Sequence, residues 1–153
     1  MPPRTPKQRV RTLALAVLLH RDHILCAQGY DEVKGETFYR PLGGGIEFGE
    51  RAADAAVREL REEIGREVVV RELLGVTENL FVFNGAHGHE ICFEFIAEFA
   101  EGAEPADLGP MVCAEGGRPF TACWLPLAEV IGGMHIVYPD GLPARLAEWV
   151  NGL

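Results

Sequence analysis

The stretch that decides the fold reads Gly44-Gly-Ile-Glu-Phe-Gly-Glu50-Arg-Ala-Ala-Asp-Ala-Ala-Val-Arg58-Glu59-Leu60-Arg61-Glu62-Glu63-Ile64-Gly65-Arg66. Ala53, Val57, Leu60 and Ile64 recur at the spacing of one helix stripe, so an amphipathic helix is expected over about 50–65. Gly65 offers its C-terminal stop. Glu59, Glu62 and Glu63 lie three and four residues apart and fall on a separate face. Like charges at that spacing cost a helix about 0.2–0.5 kcal/mol per pair, and no Lys lies among them. A divalent cation turns the repulsion into ligation, because carboxylate oxygens are the ligands Mg²⁺ and Mn²⁺ prefer. Upstream, Gly43-Gly44-Gly45 permits tight turns and close approach of the backbone to a ligand. A solvated face with Arg51, Arg58, Arg61 and Arg66 scattered through it is the competing reading of the carboxylates alone. The glycine loop at fixed spacing argues against it.

Around this segment the chain reads as one domain. Its 153 residues are enough to bury a core, and 48% apolar with 24% charged residues is ordinary for a globular protein. The net charge of −9 sets it against non-specific binding of nucleic acid. A small phosphorylated substrate carried in with a cation is compatible with that charge. Cys26, Cys92, Cys113 and Cys123 form no C-x-x-C pair and are read as reduced core residues, which points to the cytoplasm. Arg4, Lys7, Arg9 and Arg11 ahead of the apolar run Leu13–Leu19 mimic a signal peptide. The run is short, and His20-Arg-Asp-His23 followed by Ile24–Ala27 reads better as a turn and second strand. No segment is long enough to span a membrane.

A loose tail is expected over 1–8, with the domain over 9–153. Strands are expected over 9–20, 23–28, Phe38–Phe48 with the glycine turn inside it, Val68–Phe83 as one or two pieces around Gly75, Glu90–Phe99 and Ala122–Leu125. Loops are expected over 29–37, Asn84–His89 and 100–118. A short helical turn at Leu127–Ile131 and a last helix from Leu142, with Leu146, Trp149, Val150 and Leu153 on one face, complete the chain. Strands outnumber helices, which favours an α+β domain: a mixed β-sheet with helices on its faces.

The glycine–glutamate segment resembles the Nudix box: Gly, five residues, Glu, seven residues, then Arg-Glu-apolar-x-Glu-Glu-x-Gly-apolar. Gly44, Glu50, Arg58, Glu59, Leu60, Glu62, Glu63 and Gly65 fit, and Arg66 departs by standing where an apolar residue is usual. The resemblance implies an α/β/α sandwich with a mixed sheet. It also implies Mg²⁺-dependent hydrolysis of a nucleoside diphosphate derivative, with Mn²⁺ as substitute. Water attacks phosphorus, and metal ions neutralise the pyrophosphate and polarise it. Implied metal ligands are Glu59, Glu62, Glu63 and the Gly43 carbonyl. Arg58 is expected to pair with a box glutamate such as Glu50 and so orient the others. Gly43, Gly44, Glu47, Tyr39 and Arg40 are the expected substrate contacts.

Such proteins often draw a further glutamate from a late loop as ligand or general base. Glu115, before the strand carrying Trp124, stands where that residue is expected, with Glu90 and Glu94 as rivals. Arg66 is expected to send its charged end to solvent while its stem packs. His87 and His89 are read as turn or substrate-contacting residues rather than ligands. Tyr30, Phe38, Tyr39, Phe81 and Phe83 are candidates to stack a base, with a core role the alternative for each. A catalytically silent nucleotide-binding or sensor domain is the second function class. The three helix glutamates argue against it. The implied partner is a small nucleotide-type molecule, and a homodimer is left open. Oxidised purine triphosphates, ADP-ribose, dinucleoside polyphosphates, nucleotide sugars and capped RNA are all handled on such a scaffold, so the substrate stays unassigned.

Overall fold

The most apolar run of the chain becomes the centre of its sheet. In the computed structural model, which describes residues 8–153, strand β1 spans Val10–His20 and every residue from Leu13 to Leu18 is buried. A continuous apolar run is what a strand needs when both faces are covered. Residues 1–7 of the expected tail lie outside the described residues. Arg21 and Asp22, at φ 48° and 59°, turn the chain tightly into β2, His23–Asp31. There follow β3 (Glu36–Gly45), helix α1 (Ala52–Ile64), β4 (Val68–Phe83), β5 (Ala86–Phe99), β6 (Met111–Glu115) and β7 (Arg118–Pro126). Helices α2 (Leu127–Ile131) and α3 (Leu142–Asn151) close the domain.

The seven strands form one mixed sheet in the order β4-β5-β1-β3-β2-β7-β6. Only β1 and β5 run parallel; the other pairs are antiparallel. β3 changes partner along its length. Glu36 to Pro41 pair with β2, and Leu42 to Gly45 pair with β1. The sheet parts at that crossover, and the cavity described below opens there.

Alternation along β1 sorts the core into two layers. Ala14, Ala16 and Leu18 pack with Ala55, Ala56 and Leu60 of α1 and with Val68, Phe95 and Phe99. Val17 packs on the other side with Ile24, Ile96, Leu125, Val130 of α2, and Leu142 and Leu146 of α3. This is the expected α/β/α sandwich. Truncating fully buried Leu60 to Ala would cost about 2–5 kcal/mol. All four cysteines are free.

Several boundaries differ from the sequence expectation. The loop expected over 29–37 is mostly strand, since β2 and β3 stay paired out to Asp31 and Glu36. Asp31 ties the short connection by accepting hydrogen bonds from the Lys34 and Asn84 backbone N–H groups, at 2.9 and 3.1 Å. The turn expected over 84–89 shrinks to Asn84-Gly85. Val68–Phe83 is one strand, with irregular pairing at Val70/Glu72 and Leu73/Gly75. The expected loop 100–118 contains β6.

The largest correction concerns the rotation of α1. Its buried residues are Ala55, Ala56, Leu60 and Glu63, while Ala53, Val57 and Ile64 are only partly covered. The helix lies with two of its glutamates toward the sheet, and Gly44 of β3 leaves room for one of them, Glu59. Arg66 also departs from expectation. Its guanidinium donates to the Ala103 carbonyl at 2.7 Å instead of reaching into water, so it ties the end of α1 to the loop that follows β5.

Candidate active site

The site is built where α1 crosses the glycine end of β3. A Cβ on Gly43 would stand 2.0 Å from the Ala14 carbonyl oxygen, so the close approach to β1 admits only glycine. A Cβ on Gly44 would stand 2.4 Å from Glu59 Cδ. The bare backbone at Gly44 is thus the seat on which the Glu59 carboxylate rests. The αL turn at Gly65, φ 67°, ends α1, with its N–H donating to the Arg61 carbonyl.

Arg58 gathers the surrounding carboxylates. Its Nε and Nη2 donate to Glu50 at 2.7 and 2.9 Å, a two-point pair. Nη2 also donates to the Gly45 carbonyl at 3.0 Å, and Nη1 to Glu59 at 3.0 Å and Glu62 at 3.4 Å. The hydrogen bonds from Arg58 hold the Glu50 carboxyl below its usual range, and those to Glu50 push the Arg58 guanidinium up. Glu47 lies at the rim, with its side chain 69% exposed and 3.8 Å from Arg58.

Glu63 is the anomaly. It is 6% exposed, and burial first, then repulsion from Glu59 and Glu115, pushes its carboxyl up to about 9. The influence of Glu115 places that residue beside Glu63, and both line one cavity. Glu115 is not on a flexible loop. It ends β6, opposite Arg118 and before the Gly116-Gly117 turn. Glu62 stays 58% exposed at the outer edge. Among the described residues, no three side chains of metal-ligating type are already gathered to hold an ion. Arg58 draws Glu59 and Glu62 toward itself, while Glu63 faces the cavity.

The cavity has a volume of about 450 Å³, within the range of small-molecule sites. It runs along β3, from Phe38 past Arg40 to Gly43 and Gly44, where Glu63 and Glu115 line its acidic end. In the middle stands buried Glu90, with Arg40 at 3.4 Å and Arg11 at 3.8 Å. Glu94 does not reach the cavity lining. Further along the same face of β5, it is bound by Arg145, at 2.8 and 2.6 Å, and by Thr77 at 3.2 Å. Tyr39 is a further correction. Alternation puts Phe38 and Arg40 on the cavity and turns Tyr39 to the α2/α3 layer, beside His135.

His89 pairs with Glu78 at 3.1 Å and His87 is exposed. Arg11 and Asn79 line the cavity and were not singled out from the sequence. Arg11 reaches Glu90 only through the parallel pairing of β1 with β5, a contact between distant parts of the chain that leaves no local signal. Among the described residues no helix is long and apolar enough to cross a membrane.

A family model for the NUDIX domain matches residues 9–146. Solved structures share the fold. A NUDIX hydrolase from Nitrosomonas europaea aligns with a TM-score of 0.59 at 17% identity, covering 94% of this chain and 90% of that one. A MutT NUDIX hydrolase from Burkholderia pseudomallei aligns with a TM-score of 0.58 at 19% identity, covering 91% and 97%. A UDP-X diphosphatase aligns with a TM-score of 0.61 at 15% identity, covering 99% of this chain and 68% of that chain.

Proposed function

The chain belongs to the NUDIX family of pyrophosphohydrolases, and from that premise we propose that it uses Mg²⁺, with Mn²⁺ as substitute, to hydrolyse a nucleoside diphosphate derivative. The observation that supports this reading is Glu63, a buried carboxyl group crowded by Glu59, Glu62 and Glu115, which keeps its proton until a cation arrives. Ionising such a group is costly without a positive partner. The donors are all oxygen and largely anionic, which fits a hard divalent cation.

Glu59, Glu62, Glu63 and the Gly43 carbonyl would hold the ion. When bound, it neutralises pyrophosphate charge and lowers the pKa of water at the site. Arg58 fixes Glu59 and Glu50 relative to β3. Gly44 leaves the space in which Glu59 sits. Glu115, outside the helix but facing the same acidic end, accepts the proton of the attacking water, a role worth about 10²–10⁴-fold. Arg40 and Arg11 stand further along the cavity, where they meet phosphate oxygens away from the point of attack. Catalysis of this kind rests on positioning and on charge placed in advance.

The test is a panel of nucleoside triphosphates, nucleotide sugars, ADP-ribose and dinucleoside polyphosphates, incubated with Mg²⁺ or Mn²⁺ and analysed by chromatography. Metal-dependent release of a nucleoside monophosphate or phosphate is expected. Saturable binding of panel members without turnover under either metal would make the domain a silent nucleotide binder instead.

A further inference from the structure

We propose that Asp31 and Asn84 form a clasp between two hairpin tips, and that its opening gates the cavity. The proposal concerns entry and exit, and it rests on the pyrophosphohydrolase reading above only for the identity of what passes.

The cavity lies between two arms. Its lining draws Gly29 and Phe38 from the β2–β3 hairpin, and Asn79 and Phe81 from the β4–β5 hairpin. Among the described residues no strand pairing joins the two hairpins, because β1 stands between them in the sheet. Beside Gly43 and Gly44, the pairing of β1 with β3 holds the arms together through the backbone. Toward the tips the arms meet through side chains. Phe38 and Phe83, one from each arm, touch edge to face with ring centroids 5.7 Å apart.

The bonds across the tips run both ways. The Asn84 backbone N–H donates to Asp31 Oδ2 at 3.1 Å, and the Glu32 backbone N–H donates to Asn84 Oδ1 at 2.8 Å. Asp31 is 2% exposed and lines the cavity, and its other oxygen accepts from the Lys34 N–H at 2.9 Å.

The turn at Asn84 does not by itself ask for a carboxamide. Asn84 and Gly85 have φ of 49° and 81°, the tight connection that matches the twist of a hairpin. Glycine serves such a position equally well. What asparagine adds is the oxygen that reaches across to Glu32. Neither Asn84 nor Glu32 lines the cavity, so their bond is made outside the space a ligand fills. Paired core strands open at a cost near that of unfolding the domain, whereas tips joined by a few hydrogen bonds open locally. A gate of this kind slows entry and exit alike.

A purely structural clasp predicts that loosening it lowers the melting temperature and leaves ligand exchange alone. A lost wall contact predicts faster dissociation and weaker affinity. A gate predicts that association and dissociation both quicken while affinity holds. The discriminating variant is Asn84→Gly, which keeps the turn and the N–H at position 84 and deletes only the carboxamide. Its first readout is amide hydrogen exchange by NMR in the free protein. In wild type the amide at position 84 should exchange faster than those of Leu15 and Val17. In Asn84→Gly it should quicken further, after correction for the intrinsic rate of glycine, while the β1 amides do not change. The second readout is stopped-flow binding of the Mg²⁺ complexes of ADP, GDP, CDP and UDP. Asn84→Gly should raise both rate constants by about two- to tenfold, the scale of one hydrogen bond, with Kd held within about twofold. Asp31→Ala, which removes the acceptor for both tips, should raise both rates further.

A position-84 amide exchanging no faster than those of β1 would overturn the gate. So would a folded Asn84→Gly variant with unchanged rates, or with dissociation alone quickened. Gated binding with no turnover of any pyrophosphate would keep the gate and remove the enzymatic reading. Metal-dependent turnover with ungated rates would do the reverse. No saturable binding of any of the four diphosphates would overturn both, since nothing of that class then passes the clasp.

Discussion

Glu59 sits over Gly44 so closely that a Cβ there would fall 2.4 Å from its carboxyl carbon. Gly44 is not among the positive-φ residues, so alanine fits the backbone and offends only the carboxylate. Gly44→Ala should therefore fold, displace Glu59 and lower kcat by about 10²-fold, the scale of losing one electrostatic contact to the transition state. Its Mg²⁺ requirement should move to higher concentration. A Gly44→Ala enzyme with unchanged kcat and Mg²⁺ dependence would show that Glu59 needs no such seat.

Arg58 holds Glu50 through two nitrogens and Glu59 through a third. Lysine cannot reproduce that fork. Arg58→Lys should lose about 1.5–3 kcal/mol of stability, the range for hydrogen bonds to charged groups. It should also weaken Mg²⁺ binding, because Glu59 loses its anchor. Urea unfolding and a Mg²⁺ titration of activity check both. Wild-type values in each would remove the orienting role.

Glu63 links stability to pH. Its ordinary value is 4.5; in the folded chain burial, then Glu59 and Glu115, push it up to about 9. The folded chain keeps a proton that the unfolded chain releases. Its contribution to stability is thus complete below about pH 4.5 and is lost as pH rises toward about 9. The metal-free melting temperature should fall across that window, and Glu63→Gln should flatten the fall. Mg²⁺ should stabilise the protein more at the alkaline end, with proton release on binding. A Glu63→Gln profile parallel to wild type would show that another group governs the slope.

Helix α1, with the proposed ligands, was legible because its signals are local: periodic apolar residues, the Gly65 stop and the glutamate spacing. Its rotation was not. Glu59 can turn toward the sheet only because Gly44 carries no side chain, and Gly44 meets it only once β1 and β3 are paired. The strands at the hairpin ends were underestimated for a similar reason. Tyr30, Asp31 and Glu36 look like loop residues, yet cross-strand pairing and the Asp31 carboxylate hold them in place. Tyr39 was misplaced by one step of alternation, which a register set by distant partners decides. Arg11 and Asn79 left no signal, since each comes to the cavity only by pairing with Glu90 of β5.

Glu115 and Glu90 line the same cavity, whereas Glu94 lies outside its lining and is engaged by Arg145. Glu115→Gln should lower kcat by about 10²–10⁴-fold with little change in substrate binding. Glu90→Gln should act mainly on KM, by releasing Arg11 and Arg40. Glu94→Gln should act mainly on stability. Steady-state kinetics and melting curves separate the three. A near wild-type Glu115→Gln beside a Glu90→Gln variant crippled in kcat would move the base onto β5.

If water attacks a pyrophosphate phosphorus under the control of Glu59, Glu62 and Glu63, oxygen from the solvent must appear in a phosphate product. The direct measurement is hydrolysis of an accepted substrate in ¹⁸O-labelled water, followed by mass spectrometry of the products, for wild type and Glu63→Gln with and without Mg²⁺. One labelled oxygen should enter one phosphate product in the wild-type reaction with Mg²⁺. Incorporation should disappear without metal, and in Glu63→Gln it should fall by about 10²-fold or more while the variant stays folded. Full, metal-independent incorporation by Glu63→Gln would show that these glutamates do not control the attack.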